Sequence, residues 1–298
     1  MYLSHRVEEL TANYGDARRA IGEFVLREHA HLSDYTIMDI AAQTFSSKAS
    51  VTRFAQALGF DGWRDFIRAF MAEERYEASR PAFVDPNIPF AADDSDDKIA
   101  ESIGDLTIET IADTARLLNR NILAVAVRYL QRATRIWVIG LSPNCYLGSL
   151  FCRKLVAIGK PAQVIDSDEA GIVSRTLGPD DCVVVISYSG NNPSSGTLRH
   201  IPEIQARRAP IIAVTSEGDN YLRLNANCTL TISSHESLYS KISTMATEAS
   251  IGYLLNVLFA CLFARDYDRN LEFKIRGGSV LEASRRSRAD ATEDGQRD

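Results

Sequence analysis

The sequence predicts an α + α/β protein, with an all-helical N-terminal domain built around a helix-turn-helix and a C-terminal doubly wound sheet of five parallel strands. Three observations lead there. Apolar residues recur at helical spacing through residues 1–80, a stretch rich in proline and aspartate then interrupts the pattern, and β-branched runs afterwards alternate with helical segments.

Bulk properties narrow the class. At 298 residues the chain is long enough for two domains, and 45% hydrophobic with 24% charged residues is ordinary for a globular protein. A net charge of −6 argues against a uniformly basic surface, so contact with nucleic acid must come from a local face. Cys145, Cys152, Cys182, Cys228 and Cys261 are scattered, form no CxxC pair and sit largely in apolar runs. They read as reduced core thiols of a cytoplasmic protein, and neither a disulfide framework nor a metal site is expected. No signal segment opens the chain and no apolar run reaches the roughly 18 residues of a bilayer span, so no membrane partner is expected.

The first helix is read from Arg18, with Ile21, Phe24, Val25 and Leu26 on one face. Ser33 and Asp34 break it, and Thr36 can cap a short second helix whose buried side carries Ile37, Met38, Ile40, Ala41 and Ala42. A polar turn over residues 45–47 leads to Ser47, the cap of a third helix from Lys48 to Leu58 that Gly59 closes. The tight turn between the last two makes a helix-turn-helix. Val51, Phe54, Ala55 and Leu58 fall at i, i+3, i+4 and i+7 and face the core, while Lys48, Ser50, Thr52, Arg53 and Gln56 point elsewhere. Short hydroxyls and two cations near a helix N-terminus suit docking in a major groove, and they suit a solvated face as well.

The run SSKASVTRFAQALGFDGWRDF, Ser46 to Phe66, resembles the N-terminal helix-turn-helix signature of bacterial RpiR/MurR-type transcriptional regulators, including the Leu-Gly-Phe, Gly-Trp and Asp-Phe that follow the third helix. The resemblance extends back to about Arg18 and implies binding to a double-stranded DNA operator. It makes Thr36, Ser47, Lys48, Ser50, Thr52 and Arg53 the DNA-binding set. Within that set Lys48 and Arg53 would meet phosphates or guanines, and Ser50 and Thr52 would read bases.

Pro81, Pro86 and Pro89, with the acidic cluster Asp93, Asp94, Asp96 and Asp97, mark a linker over residues 81–98 between a first domain at 1–80 and a second at 99–266. The aspartates are assigned to helix N-terminal charge rather than to metal. Helical periodicity returns from Ile99 to Gln131. Strands follow at Ile136–Ile139, Gln163–Asp166, Cys182–Ile186, Pro210–Val214 and Cys228–Ile232, separated by helices ending at Gly159 and spanning 170–177 and 198–207. Val183, Val184, Val185 and Ile186 leave no polar face, which suits a parallel strand covered on both sides, and the alternation as a whole gives a doubly wound sheet of flavodoxin-like type.

Two strand ends carry the polar chemistry. Ser142 to Asn144 follows the first strand, and Ser187, Ser189, Gly190, Asn191 and Asn192 follow the third, at the carboxyl ends where open α/β sheets bind ligands. Ser187, Ser189 and the Gly190 amide at a helix start would supply phosphate donors without a lysine. A Ser-x-Ser-Gly turn alone is also ordinary loop punctuation.

Ile136 to Asn144, VVVISYSGNN and PIIAVTSEGDNYL together resemble the sugar isomerase (SIS) domain, and its pairing with the N-terminal motif is the RpiR/MurR arrangement. The resemblance implies a phosphosugar effector, with Ser187, Ser189 and Asn192 on the phosphate and Ser142 and Asn144 on the sugar. Asn192 stands where that family usually carries threonine or serine. Glu248, near the start of an apolar helix from Ala249 to Phe263, is close to where the family places a polar residue facing the ligand; a plain helix N-terminal charge explains it equally. An isomerase would need a general base, and Glu248, His200, His235 and Glu236 are the candidates, none of them in a specifiable motif.

The expected function is that of a cytoplasmic DNA-binding transcriptional regulator that senses a phosphorylated sugar or sugar acid, without a cofactor and without catalysis. The alternative is an aldose–ketose isomerase of sugar phosphates with an accessory helical domain. The resemblance also implies pairing through SIS domains, as a homodimer or dimer of dimers, which two half-sites on DNA require. Residues 267–298 are polar and are expected to be a disordered tail.

Overall fold

The computed structural model describes residues 3–79, 84–166 and 169–277, and the chain divides into two compact units. The first takes the chain as far as Asp113 together with Ser216–Asn220 and Ser233–Thr247. The second takes Thr114–Thr215, Tyr221–Ile232 and the chain from Glu248 onward.

In the first unit, α1 (Leu3–Asn13) and α2 (Ala17–Arg27) lead through a 3-10 turn at His29–Asp34 to α3 (Ile37–Gln43), α4 (Lys48–Ala57) and α5 (Trp63–Ser79). The helix read from Arg18 is therefore the second, capped by the Asp16 carboxylate on the Arg18 amide. Ile21, Phe24, Ile40, Val51, Phe54, Leu58, Phe66 and Phe70 form one buried core. The aromatics after α4 build much of it: Phe66 stacks edge-on against Phe54 at 6.1 Å and lies 5.1 Å from Trp63. Met38 and Ala42, expected on the buried side of α3, are exposed, because at seven residues α3 buries only Ile40 and Ala41.

Residues 81–83 of the expected linker lie outside the described residues, residues 84–95 carry no regular structure, and α6 (Asp96–Leu117) begins inside the expected linker span. The compact units also do not part at that linker. Most of α6 and the returning segment Ser233–Thr247 group with the helical unit, and hydrogen bonds explain why. The amides of Ser237 and Ile242 donate to the Asn87 side chain and carbonyl at 2.6 and 2.9 Å, and the Leu238 amide donates to Glu8 on α1.

In the second unit, α7 (Arg120–Arg132), capped by Asn119, leads into β1 (Arg135–Gly140), α8 (Asn144–Val156), β2 (Ala162–Ile165) and α9 (Ala170–Val173). Then come β3 (Asp181–Ile186), α10 (Ile201–Ala206), β4 (Ile211–Ser216), α11 (Tyr221–Asn225), β5 (Cys228–Ile232) and α12 (Met245–Ala264). The sheet order is β2-β1-β3-β4-β5, with β1–β2, β1–β3 and β3–β4 paired in parallel. This is the doubly wound order expected, and every residue of β3 is buried. Arg135 clamps the amino ends of β1 and β3 through a bidentate pair with the buried Asp181 at 2.8 and 2.9 Å. All five cysteines are free, and burial pushes the thiols of Cys152 and Cys228 up to about 12.

Two expectations need correction. Residues 267–277 are helical rather than disordered, and 278–298 lie outside the described residues. That helix is held by local pairs between Arg276 and Glu272 and by the Asn270 side chain, which donates to the Phe263 carbonyl at 3.0 Å. In addition α12, at 20 residues and a mean hydropathy of 1.5, is long and apolar enough to cross a membrane by length and composition. Its Ile251, Leu254, Leu255, Leu258 and Leu262 are buried within the chain, as in a core helix.

Candidate DNA-reading helix and effector site

The starts of α3 and α4 are fixed by caps. Thr36 and Asp39 exchange side-chain and backbone bonds in a capping box, so the Thr36 hydroxyl is engaged at the start of α3 rather than presented beside α4. Ser47 caps α4 by accepting from the Ser50 amide at 3.1 Å, and the two hydroxyls meet at 2.9 Å. At the other end Gly59, at φ +84°, closes the helix, its amide on the Gln56 carbonyl and the Phe60 amide on the Ala55 carbonyl. Val51, Phe54, Ala55 and Leu58 are buried as expected. Lys48 and Arg53 are exposed and join no ion pair among the described residues. Ser50 and Thr52 are half-buried, and Thr52 donates to the Lys48 carbonyl at 3.1 Å. Arg53 Nε donates to the Ala49 carbonyl at 3.2 Å, so its guanidinium lies back along α4 while both cations stay exposed.

The second cluster forms where the strand order reverses. β1 and β3 are neighbours, Gly140 pairs with Ile186, and both chains leave the sheet at this carboxyl edge. A Cβ on Gly140 would stand 3.3 Å from Asn144 Cβ, so glycine is what lets α8 start this close to the strand ends. Ser142 is exposed and Asn144 half-buried on the first loop; on the second, Ser187 and Ser189 are half-buried and Gly190 is buried. The Gly190 amide donates to Ser187 Oγ at 3.3 Å and the residue sits at φ +64°, a left-handed position that favours glycine. The Leu222 amide on the Gly190 carbonyl at 2.8 Å and Thr215 Oγ1 on the Tyr188 carbonyl at 3.1 Å pin this loop from neighbouring segments. Asn191 is half-buried, and Asn192 is exposed with its Oδ1 accepting from the Ser194 amide at 3.0 Å. The sequence pattern thus brings Ser142, Asn144 and the Ser187–Asn192 loop to one edge of the sheet.

No helix begins at Gly190. Residues 193–200 form successive turns and α10 starts only at Ile201, so a helix N-terminus does not stand behind this loop. Pro193, Ser194, Ser195 and Gly196 favour turns, and Pro202 in the first turn of α10 is the signal that marks the true start.

The four candidate bases are distributed otherwise. His200 occupies the position before α10 without a side-chain capping bond, and its pKa is lowered by burial. Glu236 is fully buried, accepts from the Ala246 and Thr247 amides and from Thr247 Oγ1 at 2.7 Å, and pairs with Lys241 at 3.1 Å. It therefore anchors the start of α12, a role nothing in the sequence signalled. His235 is half-buried on the wall of a cavity of ≈ 540 Å³ within the first unit, beside His5, Glu8, His29, Glu74 and Asp113. Among the described residues no lysine or arginine lines that cavity, which makes it a poor site for phosphate. Glu248 is half-buried in the first turn of α12, on a separate element from either loop.

Comparison with known proteins places these two clusters in known domains. Residues 1–76 match the helix-turn-helix domain of the rpiR family, and residues 129–257 match the SIS domain. An uncharacterized HTH-type transcriptional regulator of Clostridium perfringens is 23% identical over 89% of this chain and 93% of its own length. The Vibrio vulnificus NanR protein, solved in complex with ManNAc-6P, superposes with a TM-score of 0.59 at 20% identity, over 94% of this chain and 98% of that one. The sugar isomerase domain of an RpiR transcription factor from Sphaerobacter thermophilus gives a TM-score of 0.53 at 18% identity, over 62% and 98%. With both domains matched in this order, the chain belongs to the RpiR family of helix-turn-helix transcriptional regulators with a C-terminal SIS domain.

Proposed function

We propose that the protein binds operator DNA through α4 and holds a phosphorylated sugar, or sugar acid, at the carboxyl ends of β1 and β3, and that occupancy of this site changes its affinity for DNA. The convergence of two hydroxyl- and amide-bearing loops at the switch point of the sheet carries the reading, since open α/β sheets bind ligands there. Ser187, Ser189 and backbone amides of the 189–192 loop face the phosphate, Ser142 and Asn144 reach the sugar, and Glu248 accepts a sugar hydroxyl. On DNA, Lys48 and Arg53 meet phosphates or guanines, while Ser50 and Thr52 approach base edges and Thr36 and Ser47 position the two helices.

The NanR complex with ManNAc-6P makes that compound the first probe. Pairing of two chains, in a cytoplasmic protein, presents two copies of α4 to adjacent half-sites. Tyr146 and Leu150, 66% and 56% exposed one turn apart on α8, offer apolar area for such pairing. Calorimetry with ManNAc-6P and a panel of sugar phosphates, each beside its unphosphorylated sugar, tests the effector site. Saturable binding of at least one phosphorylated member, absent for its parent sugar, is expected; equal binding of both forms, or of none, contradicts the reading.

A further inference from the structure

Two helices in the first unit end in the same backbone motif, and one of them carries the wrong residue for it. At the end of α4 the left-handed position is Gly59. At the end of α3 the Phe45 amide donates to the Ala42 carbonyl at 3.3 Å and the Ser46 amide to the Ala41 carbonyl at 2.8 Å, the same pair of closing bonds. Here the left-handed residue is Phe45, at φ +48°. An L-residue resists that conformation, and this one also holds its ring 100% exposed, so it gains nothing from the core in return. Backbone strain combined with an exposed aromatic points outward, to a partner.

The position identifies the partner. Phe45 lies two residues before Ser47, the cap of α4, and Lys48 opens the helix as an exposed cation. In a docked helix-turn-helix the N-terminal end of the second helix reaches base edges in the major groove, where an aromatic side chain contacts the thymine 5-methyl group. Resting on the DNA-binding reading above, we infer that Phe45 is a specificity residue whose ring packs on a thymine methyl in the major groove beside the start of α4.

The test uses the full chain and a duplex enriched by it from a random-sequence pool. Phe45→Gly removes the ring and relieves the left-handed strain, so the melting temperature should hold or rise while affinity for the enriched duplex falls about tenfold. Because no charge is lost, the salt dependence of binding should not change. Replacing thymines one at a time by deoxyuridine should reveal a position where the missing methyl weakens the wild type several-fold and leaves Phe45→Gly unaffected. Wild-type affinity in Phe45→Gly, a lowered melting temperature, an altered oligomeric mass, or no thymine that distinguishes the two proteins would each overturn the inference. If the wild type enriches no duplex at all, the DNA-binding reading itself falls and takes this inference with it.

Discussion

Gly140 pairs with Ile186 where β1 and β3 end, and a Cβ on Gly140 would stand 3.3 Å from the Ile186 carbonyl oxygen as well as from Asn144 Cβ. The approach of the two loops therefore depends on a missing side chain. Gly140→Ala should destabilise the protein by about 1–3 kcal/mol through overpacking against backbone, and should weaken sugar-phosphate binding because it spreads the loops. Thermal unfolding and calorimetry on the same preparation check both effects; a variant with unchanged ligand affinity would separate this edge of the sheet from effector binding.

Glu236 gives a contrasting case, a buried carboxylate used for structure. It accepts from two amides and a hydroxyl at the start of α12 and pairs with Lys241, which is itself only 10% exposed. Lys241→Met removes the cation paired with that buried carboxylate and should cost on the order of 3–5 kcal/mol in chemical denaturation. Loss within the range of a surface pair, about 1 kcal/mol or less, would show that the pair is solvated in solution.

How far the sequence could have revealed these features depends on whether they are local. The caps, periodicity and closing glycine of α4 lie within twelve residues of one another, and the five strands announce themselves by β-branched runs, so both were legible. The late start of α10 was legible in principle from Pro202. The anchoring of Ser233–Thr247 on Asn87 and Glu8 was not, since those partners lie 150 and 230 residues away in the chain. Nor was the helix at 267–277, whose mostly polar composition conceals the role of Asn270 at the end of α12.

Burial sets a pH dependence at His5. Its imidazole is 2% exposed, and desolvation, aided by Lys241 and His235, lowers its pKa from 6.5 to about 4 against a hydrogen bond to the Glu236 backbone that raises it. A depressed folded pKa means that the unfolded chain takes up the proton first on acidification. Stability is then present in full above pH 6.5 and is lost as pH falls toward 4, by roughly 3 kcal/mol. Glu8, its carboxyl raised by burial, works in the opposite sense, with stability present below its ordinary range and lost as pH rises through its folded pKa. Comparing the pH profile of unfolding for wild type with His5→Asn isolates the first effect: the variant should lose less stability between pH 6.5 and 4.

On the DNA side, Lys48→Ala and Arg53→Ala remove exposed cations from α4 without touching its buried face. Each should leave the melting temperature within about 1 °C and lower the slope of log affinity against log salt by about 1 if it meets a phosphate. Titrations of one enriched duplex at several salt concentrations provide the comparison, and unchanged slopes and affinities in both variants would remove α4 from the DNA interface.

The central claim is coupling between the β1/β3 edge and DNA binding. Its most direct measurement is the affinity for an enriched duplex, by fluorescence anisotropy, with and without saturating sugar phosphate, in the wild type and in Ser187→Ala/Ser189→Ala. A change of about 5- to 150-fold in the wild type, in either direction, with little or none in the double variant, is the expected result. Equal affinities in the wild type with and without every sugar phosphate that calorimetry shows to bind would contradict it.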